Sequence, residues 1–353
     1  MTETDVAVRD PTEPLAPHAA VIYNPVSANL PALREAFAAE EQRAGLAPSR
    51  WFATTPDDDA AHVATREALL GNPRVIVAVG GDGTIRAVAE TVAEAGTASV
   101  AGSAIGHDVP VGIVPIGIVP TGTGNLLART LQLPLTDIRR AVYVALSGID
   151  RKIDTVSAEL ERDGNTRTHL FLVMAGIGLD ADMAAETDGR LKKRIGWLAY
   201  VGPIAQSVGR NHQHEAVVVI DGDETHSLRA HTMIVGNCGI LPGNLLLLPE
   251  AVIDDGFLDA VVLRPNGPGG WARIWSRLAV GGVLHRVKGG PEILRAAPPF
   301  RALRYTQARI LELRLSTPQR IELDGDSFGE VSRLKVSVVP HGLTVRVPPE
   351  AVF

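Results

Sequence analysis

The run Gly80-Gly81-Asp82-Gly83-Thr84 follows five apolar residues, Val75 to Val79, and leads into Ile85-Arg86-Ala87-Val88-Ala89-Glu90. A buried strand that turns through glycines into a helix restricts this part of the chain to an α/β arrangement. The glycines let backbone N–H groups approach an anion, and the helix N-terminus adds a partial positive charge. Thr84 can cap the helix or donate to a phosphate. Asp82 is the odd member, because an acid in a phosphate-sized turn repels the ligand unless it orients a metal, a water or the loop itself. The plain alternative is a tight turn whose Asp bonds nearby backbone N–H groups. The pattern is neither Gly-x-Gly-x-x-Gly nor the Lys-containing P-loop.

From Ala19 to about Leu146, short apolar runs alternate with helical patterns: Ala20 to Tyr23, Leu30 to Ala44, Trp51 to Thr54, Asp59 to Leu70, Val75 to Val79 and Ile85 to Ala95. This alternation predicts βαβ units on a mostly parallel, Rossmann-like sheet. Val-Gly-Ile-Val-Pro occurs just before Ile-Gly-Ile-Val-Pro, and the second copy, Ile116 to Pro120, is the one that feeds Thr121-Gly122-Thr123-Gly124-Asn125. That second glycine turn again follows a strand and opens a helix at Leu126. Two such turns on parallel strands converge at the carboxyl ends, where ligands of open α/β sheets bind. Asn24-Pro25-Val26-Ser27 brings a third loop to the same edge; taken alone it is equally an Asn-Pro turn capped by Ser27.

After about Ser147 the pattern changes to strands: Lys152 to Leu160, His169 to Met174, Ala216 to Ile220, His231 to Val235, Leu258 to Leu263, Ile310 to Leu315, Arg320 to Leu323 and Lys335 to Val339. Helical stretches interrupt near Asp182 to Arg210 and Gly270 to Arg286. An antiparallel sandwich or barrel is expected. The chain is therefore expected to divide into a disordered tail over 1–18, an α/β domain over 19–148, a strand-rich domain over 149–340 and a C-terminal segment over 341–353.

A length of 353 residues accommodates two domains with ordinary cores. A formal charge of −6 gives no support for nucleic-acid binding, so an anionic partner must be met locally. Cys238 is the only cysteine, which excludes an intrachain disulfide and a thiolate cluster and makes the cytoplasm the default. The aliphatic runs fall short of the ~20 apolar residues of a spanning helix. Lys192 to Leu198 and Trp271 to Leu278 combine basic residues with Trp and Leu, which suits peripheral contact with the inner face of a membrane; the same spacing equally suits a helix face packed on a sheet. His212-Gln213-His214 and Asp57-Asp58-Asp59 read as solvated loop or helix-start residues.

In order, Asn-Pro-x-Ser, Gly-Gly-Asp-Gly-Thr and Gly-Thr-Gly-Asn resemble the diacylglycerol kinase catalytic-domain family of bacterial lipid kinases. The resemblance continues through Ile153-Asp154, Ala175 to Asp180, Gly236-Asn237, the block Pro249 to Asp259 and Leu323-Asp324-Gly325-Asp326, which falls where the family carries Asp-Gly-Glu. It spans roughly Val21 to the C-terminus, although Gly-Gly-Asp-Gly is shared with NAD kinases and phosphofructokinases.

The resemblance implies an ATP- and Mg2+-dependent kinase acting on a lipid hydroxyl such as that of diacylglycerol, with a nucleotide-binding α/β domain over 19–148, a β-sandwich lipid-substrate domain over 149–340, a segment over 341–353 that returns to the first domain, and the active site in the cleft between the two domains. Its nucleotide contacts would be Asn24, Pro25, Val26, Ser27, Ala28, Thr54, Gly80, Gly81, Asp82, Gly83, Thr84, Ile85, Arg86, Thr123, Gly124 and Asn125. A magnesium ion would be held by Asp255 with the main chain of Val252 and Phe257; oxygen-only ligation suits such a hard cation. Asp326 corresponds to the family's general base, with a side chain one methylene shorter, and Asp82, Asp154 and Asp324 would be cleft acids arranging metal and water.

Two positions depart from the family. Arg86-Ala87 stands where it often has Asn-Glu, and Ala28-Asn29 follows Ser27 where it commonly has Gly-Lys. The alternatives are an NAD kinase, and a catalytically weak lipid-binding or regulatory protein. A homodimer is compatible with the sequence.

Overall fold

A computed structural model describes residues 16–55, 57, 59–100, 114–178, 214–222, 224–241, 245–264, 267–285 and 303–351. Strands β1 (His18–Tyr23), β2 (Ala47–Ala53), β3 (Val75–Gly80) and β4 (Ile116–Pro120) form a parallel sheet in the order β2-β1-β3-β4. Every residue of β3 and β4 is buried, as both faces of such a sheet are covered by helices. Burying each Ile or Val side chain there contributes roughly 1.5–3 kcal/mol.

Helices α1 (Leu30–Ala44) and α5 (Ile138–Ser147) cover one face, where Leu33, Phe37, Val142 and Ala145 meet Val21, Val77 and Val119. Helix α1 starts where Asn29 accepts the Ala32 N–H at 3.4 Å, with Pro31 in its first turn. It stops at Gly45, whose φ of 65° is a left-handed cap. Helices α2 (Ala60–Leu69), α3 (Asp82–Val100) and α4 (Leu126–Thr130) cover the opposite face through Ala64, Ala68, Ile85, Val88, Leu126 and Leu127.

The second half is a β-sandwich built from β5 (Ile149–Arg162), β6 (Asn165–Phe171), β7 (Met174–Ile177), β8 (His214–Ile220), β9 (Glu224–Ala230), β10 (Thr232–Gly236), β13 (Leu258–Leu263), β14 (Leu303–Ala308), β15 (Ile310–Leu323) and β16 (Asp326–Val347). A two-stranded ribbon of β11 (Ile240–Leu241) and β12 (Leu245–Leu246) lies apart from it. Alternate residues such as Val156, Ala158, Leu160, Leu311, Leu313, Leu334 and Val336 fill the interior. Helix α6 (Gly267–His285) buries Ile274 and Leu278 in the cluster that also holds Leu127, Leu172 and Cys238, so apolar packing is continuous from the first domain into the second. Strand β16 pairs antiparallel with β5, and its end returns to the parallel sheet at Val345, which lies beside Ile116.

Three sequence-based boundaries change. The run from His169 to Met174 is not one strand: Leu172 and Val173 form a bend between β6 and β7, because the N–H groups of Leu172, Val173 and Met174 all donate to the Asp324 carboxylate. Ile310 to Leu315 and Arg320 to Leu323 belong to the single strand β15, whose register shifts between Arg314 and Gln319. The strand expected over Lys335 to Val339 is a short part of β16. The helix near Asp182 to Arg210, Lys192 to Leu198, the first Val-Gly-Ile copy, residues 1–15 of the expected tail and Asp180 lie outside the described residues; His18, the last residue of that tail, is instead buried as the first residue of β1, where it pairs with Ala47. Among the described residues no helix is long and apolar enough to cross a membrane.

Candidate active site

The three loops converge at the carboxyl edge of the parallel sheet. A Cβ on Gly122 would lie 2.6 Å from Gly81 Cα, so the two glycine turns touch backbone to backbone and tolerate no side chain between them. The Thr121 N–H donates to the Gly80 carbonyl at 2.9 Å, and Ser27 Oγ lies 3.0 Å from Thr121 Oγ1, tying the first loop to the second glycine turn. Asn24 is fixed by its own N–H to the Val79 carbonyl, and its side chain accepts the Val26 N–H at 2.9 Å in an Asx turn.

These loops floor an open cavity of about 1370 Å³ whose walls are the β2–α2 connection, the β5–β6 hairpin and the start of β16. Of the residues expected to hold nucleotide, Asn24, Ser27, Thr54, Gly81, Gly83, Thr84 and Arg86 line it. Thr54 is buried and its N–H donates to the Tyr23 carbonyl at 2.9 Å. Pro25, Val26 and Ala28 belong to the same loop as Asn24 without lining the cavity, and Thr123 is exposed outside it. Gly80 packs on Thr84, and Gly124 lies against Asp82. The Asn125 side chain donates to the Gly122 carbonyl at 2.7 Å and so braces the turn. Ile85 requires a correction: its side chain is buried in the core and its N–H is taken by the Gly81 carbonyl, so it faces away from the cavity.

Only one of the four acids expected at the catalytic centre, Asp326, lines the cavity. The others are corrected to structural clamps, because backbone amides take their oxygens. Asp82 accepts the N–H groups of Leu126 at 3.1 Å and Leu127 at 3.2 Å, so it satisfies the first two amides of α4 from another loop, while Asn125 at the N-cap position makes no side-chain cap bond; burial pushes the Asp82 carboxyl up against the pull of those donors. Asp154 is fully buried and accepts Gly256 N–H at 2.6 Å and His341 N–H at 2.7 Å. Asp324 accepts three N–H groups at 2.8–2.9 Å, and burial pushes its carboxyl up to about 7.

Asp324 and Gly325 form a two-residue hairpin turn with φ of 49° and 90°, and Leu323 pairs with Asp326 across it. That turn delivers Asp326 to the glycine loop: a Cβ on Gly83 would lie 2.6 Å from Asp326 Oδ2. Arg86, 7% exposed, reaches Asp326 Oδ2 through Nη2 at 3.2 Å and Glu90 Oε2 through Nη1 at 3.0 Å, with its guanidinium 4.9 Å from the Phe328 ring centre. Glu90 also accepts the Leu170 N–H at 3.1 Å and lies 3.4 Å from His169 and 3.7 Å from His62. Burial alone would raise the Glu90 carboxyl; the His169 hydrogen bond and the charges of Arg86 and the two histidines hold it below its usual range. The His62 ring is lowered, mainly by burial.

Glu90, His62, His169 and Phe328 were not apparent from sequence. Glu90 alone had a signal, standing four residues after Arg86 on one helix face. The others come from α2, β6 and β16, and only the fold brings them together.

The turn expected to hold magnesium lies outside this cavity, between β12 and β13. Val252, Asp255 and Phe257 are exposed there, and Asp255 Oδ1 accepts the Phe257 N–H at 2.9 Å. Burial first, and then the charges of Asp154 and Asp254, push the Asp255 carboxyl up; Asp254 is itself paired with Arg151 at 2.6 Å. One free carboxylate oxygen in an acid-rich turn fits a hard cation completed by carbonyls and water. Among the described residues no group of three or more His, Cys, Asp or Glu could hold a metal.

Residues 18–158 match the diacylglycerol kinase catalytic domain profile, and residues 173–347 match the YegS C-terminal NAD kinase beta sandwich-like domain; between them they cover most of the chain. The chain is 25% identical over 338 residues to a Bacillus subtilis protein named diacylglycerol kinase, covering 94% of this chain and 97% of that one. It is 29% identical over 340 residues to a Xanthomonas euvesicatoria protein named probable lipid kinase YegS-like, covering 94% and 97%. In fold it is similar to a solved Bacillus anthracis protein described as a putative diacylglycerol kinase, with a TM-score of 0.73, 19% identity and coverage of 98% and 99%.

Proposed function

The chain belongs to the diacylglycerol kinase catalytic-domain family, and from that premise we propose that it is an ATP- and Mg2+-dependent lipid kinase acting on a hydroxyl of diacylglycerol or a related lipid. The observation that carries this reading is the contact of Asp326 with Gly83, which sets a carboxylate over the first turn of the helix that follows the glycine loop. A helix N-terminus favours a phosphate, and a carboxylate beside it is placed to accept a hydroxyl proton.

In the proposed reaction the lipid hydroxyl oxygen attacks the γ-phosphorus and its proton passes to Asp326. The bond from the γ-phosphorus to the bridging oxygen breaks, with its electron pair leaving on ADP. Asn24, Ser27 and the amides of Gly81 to Thr84 would hold the phosphates, Thr54 would border the nucleotide, and Arg86 would supply the cationic charge that the missing loop lysine does not. Asp255, with the carbonyls of Val252 and Phe257, would hold a magnesium ion outside the nucleotide cavity, where it would offset the charges of Asp154, Asp254 and Asp255 when bound. The second domain would accept acyl chains, and the protein would meet its lipid at the inner membrane face as a peripheral, cytoplasmic enzyme.

The test is a radiolabelled-ATP assay on total lipid extract, with the labelled product identified by mass. A labelled lipid of the diacylglycerol class is expected. Labelling of NAD instead would favour an NAD kinase, and lipid co-purification without ATP consumption would favour a binding protein.

A further inference from the structure

We propose that Arg86 is the receptor for the terminal phosphate of the nucleotide and that Asp326 occupies this receptor in the present structure, so that acid and nucleotide compete for one guanidinium. The proposal rests on the kinase reading above.

Arg86 is nine-tenths buried, yet its Nε has no partner and its Nη2 is engaged by a side chain that is 49% exposed and anchored only at the edge of a hairpin. A buried guanidinium normally uses its donors as a fork on a planar anion. Here Nη1 and Nη2 go to two different carboxylates and Nε goes to none. Glu90 supplies the fixed counter-charge: it is held by the Leu170 N–H and flanked by His169 and His62, and it keeps Nη1 at 3.0 Å. Arg86 and Glu90 together are therefore neutral without Asp326.

The Asp326 carboxylate also lies against Gly83, in the first turn of the 19-residue helix α3, where unpaired N–H groups favour an anion. Both groups that would bind a terminal phosphate, the helix start and Arg86, thus already face a carboxylate. Two anions cannot share that space at no cost. Arrival of the phosphate exchanges one anion for another on Arg86 and leaves Asp326 free for the acceptor hydroxyl.

The deciding experiment is calorimetric binding of a non-hydrolysable ATP analogue and of AMP, at fixed Mg2+, to the full chain and to Asp326→Asn. Removing the competing charge is expected to tighten the triphosphate analogue by roughly three- to tenfold and to leave AMP unchanged. No gain for the triphosphate, or an equal gain for AMP, overturns the proposal. Failure of the unaltered protein to bind either nucleotide overturns the kinase reading itself. Arg86→Lys, which keeps the charge and loses the fork, is expected to weaken the triphosphate alone; an unchanged affinity for it in a folded variant also overturns the proposal.

Discussion

The Asp82 carboxylate accepts the N–H of Leu126 at 3.1 Å, so that an acid in the first glycine turn caps the helix that follows the second. The acid that looked misplaced beside a phosphate is thus a cross-brace, and its charge is spent on the dipole of α4 rather than on the ligand.

Replacing Asp82 by Ala removes two charge-assisted hydrogen bonds from a buried site and should cost about 2 kcal/mol of stability. Because the brace sets the spacing of the two turns, the KM for ATP should rise as well. Urea unfolding and steady-state kinetics on the same preparation check both; a stable variant with unaltered KM refutes the brace.

Asp326→Ala should lower lipid phosphorylation by roughly 10²- to 10⁴-fold without weakening ATP binding, since the side chain is half-exposed and its loss removes an anion from the phosphate side. Single-turnover assays with labelled ATP separate the two effects. Undiminished turnover removes Asp326 from the role of base.

Two glycines should respond differently to the same methyl group. Gly122→Ala sets a Cβ 2.6 Å from the Gly81 backbone, which cannot give way cheaply, so about 2 kcal/mol of stability and the nucleotide affinity should be lost together. Gly83→Ala meets the end of the Asp326 side chain, which can rotate away. Its fold should survive while kcat falls, and thermal melts paired with kinetics distinguish the two variants.

Burial pushes the Asp324 carboxyl up to about 7 in the fold, against 3.8 for an ordinary Asp. Between those values the folded chain binds more protons than the unfolded one, so the contribution of Asp324 is greatest at low pH and is lost as pH rises towards 7. The stability difference between the protein and Asp324→Asn should therefore decline across this window and level off above it. Urea midpoints over that pH range provide the check; a difference that grows with pH would mean that the three N–H donors keep the acid ionised.

Much of this architecture is legible in one dimension. The apolar runs at Ala20, Val75 and Ile116 and the amphipathic run from Leu30 to Ala44 specify their elements, because each buries its own side chains at a fixed period. The glycine turns are legible because a Cβ on Gly80 or Gly122 would overlap its neighbour, so a Gly-rich run between strand and helix marks each turn. The split between β6 and β7 was not, since it depends on an acid more than a hundred residues later that draws three backbone donors out of the ladder.

The sequence by itself determined the two-domain α/β and sandwich plan, the loops that meet at the sheet edge and the family, all of which follow from local periodicity and the order of short motifs. Only the tertiary structure decided which acids face the cavity. Asp82, Asp154, Asp324 and Asp326 look alike along the chain; three are surrounded by backbone N–H groups that consume their oxygens, and Asp326 alone meets a guanidinium 240 positions away. What a carboxylate does depends on which donors the fold brings within about 3 Å of it, and that distance is not written in any short stretch of sequence.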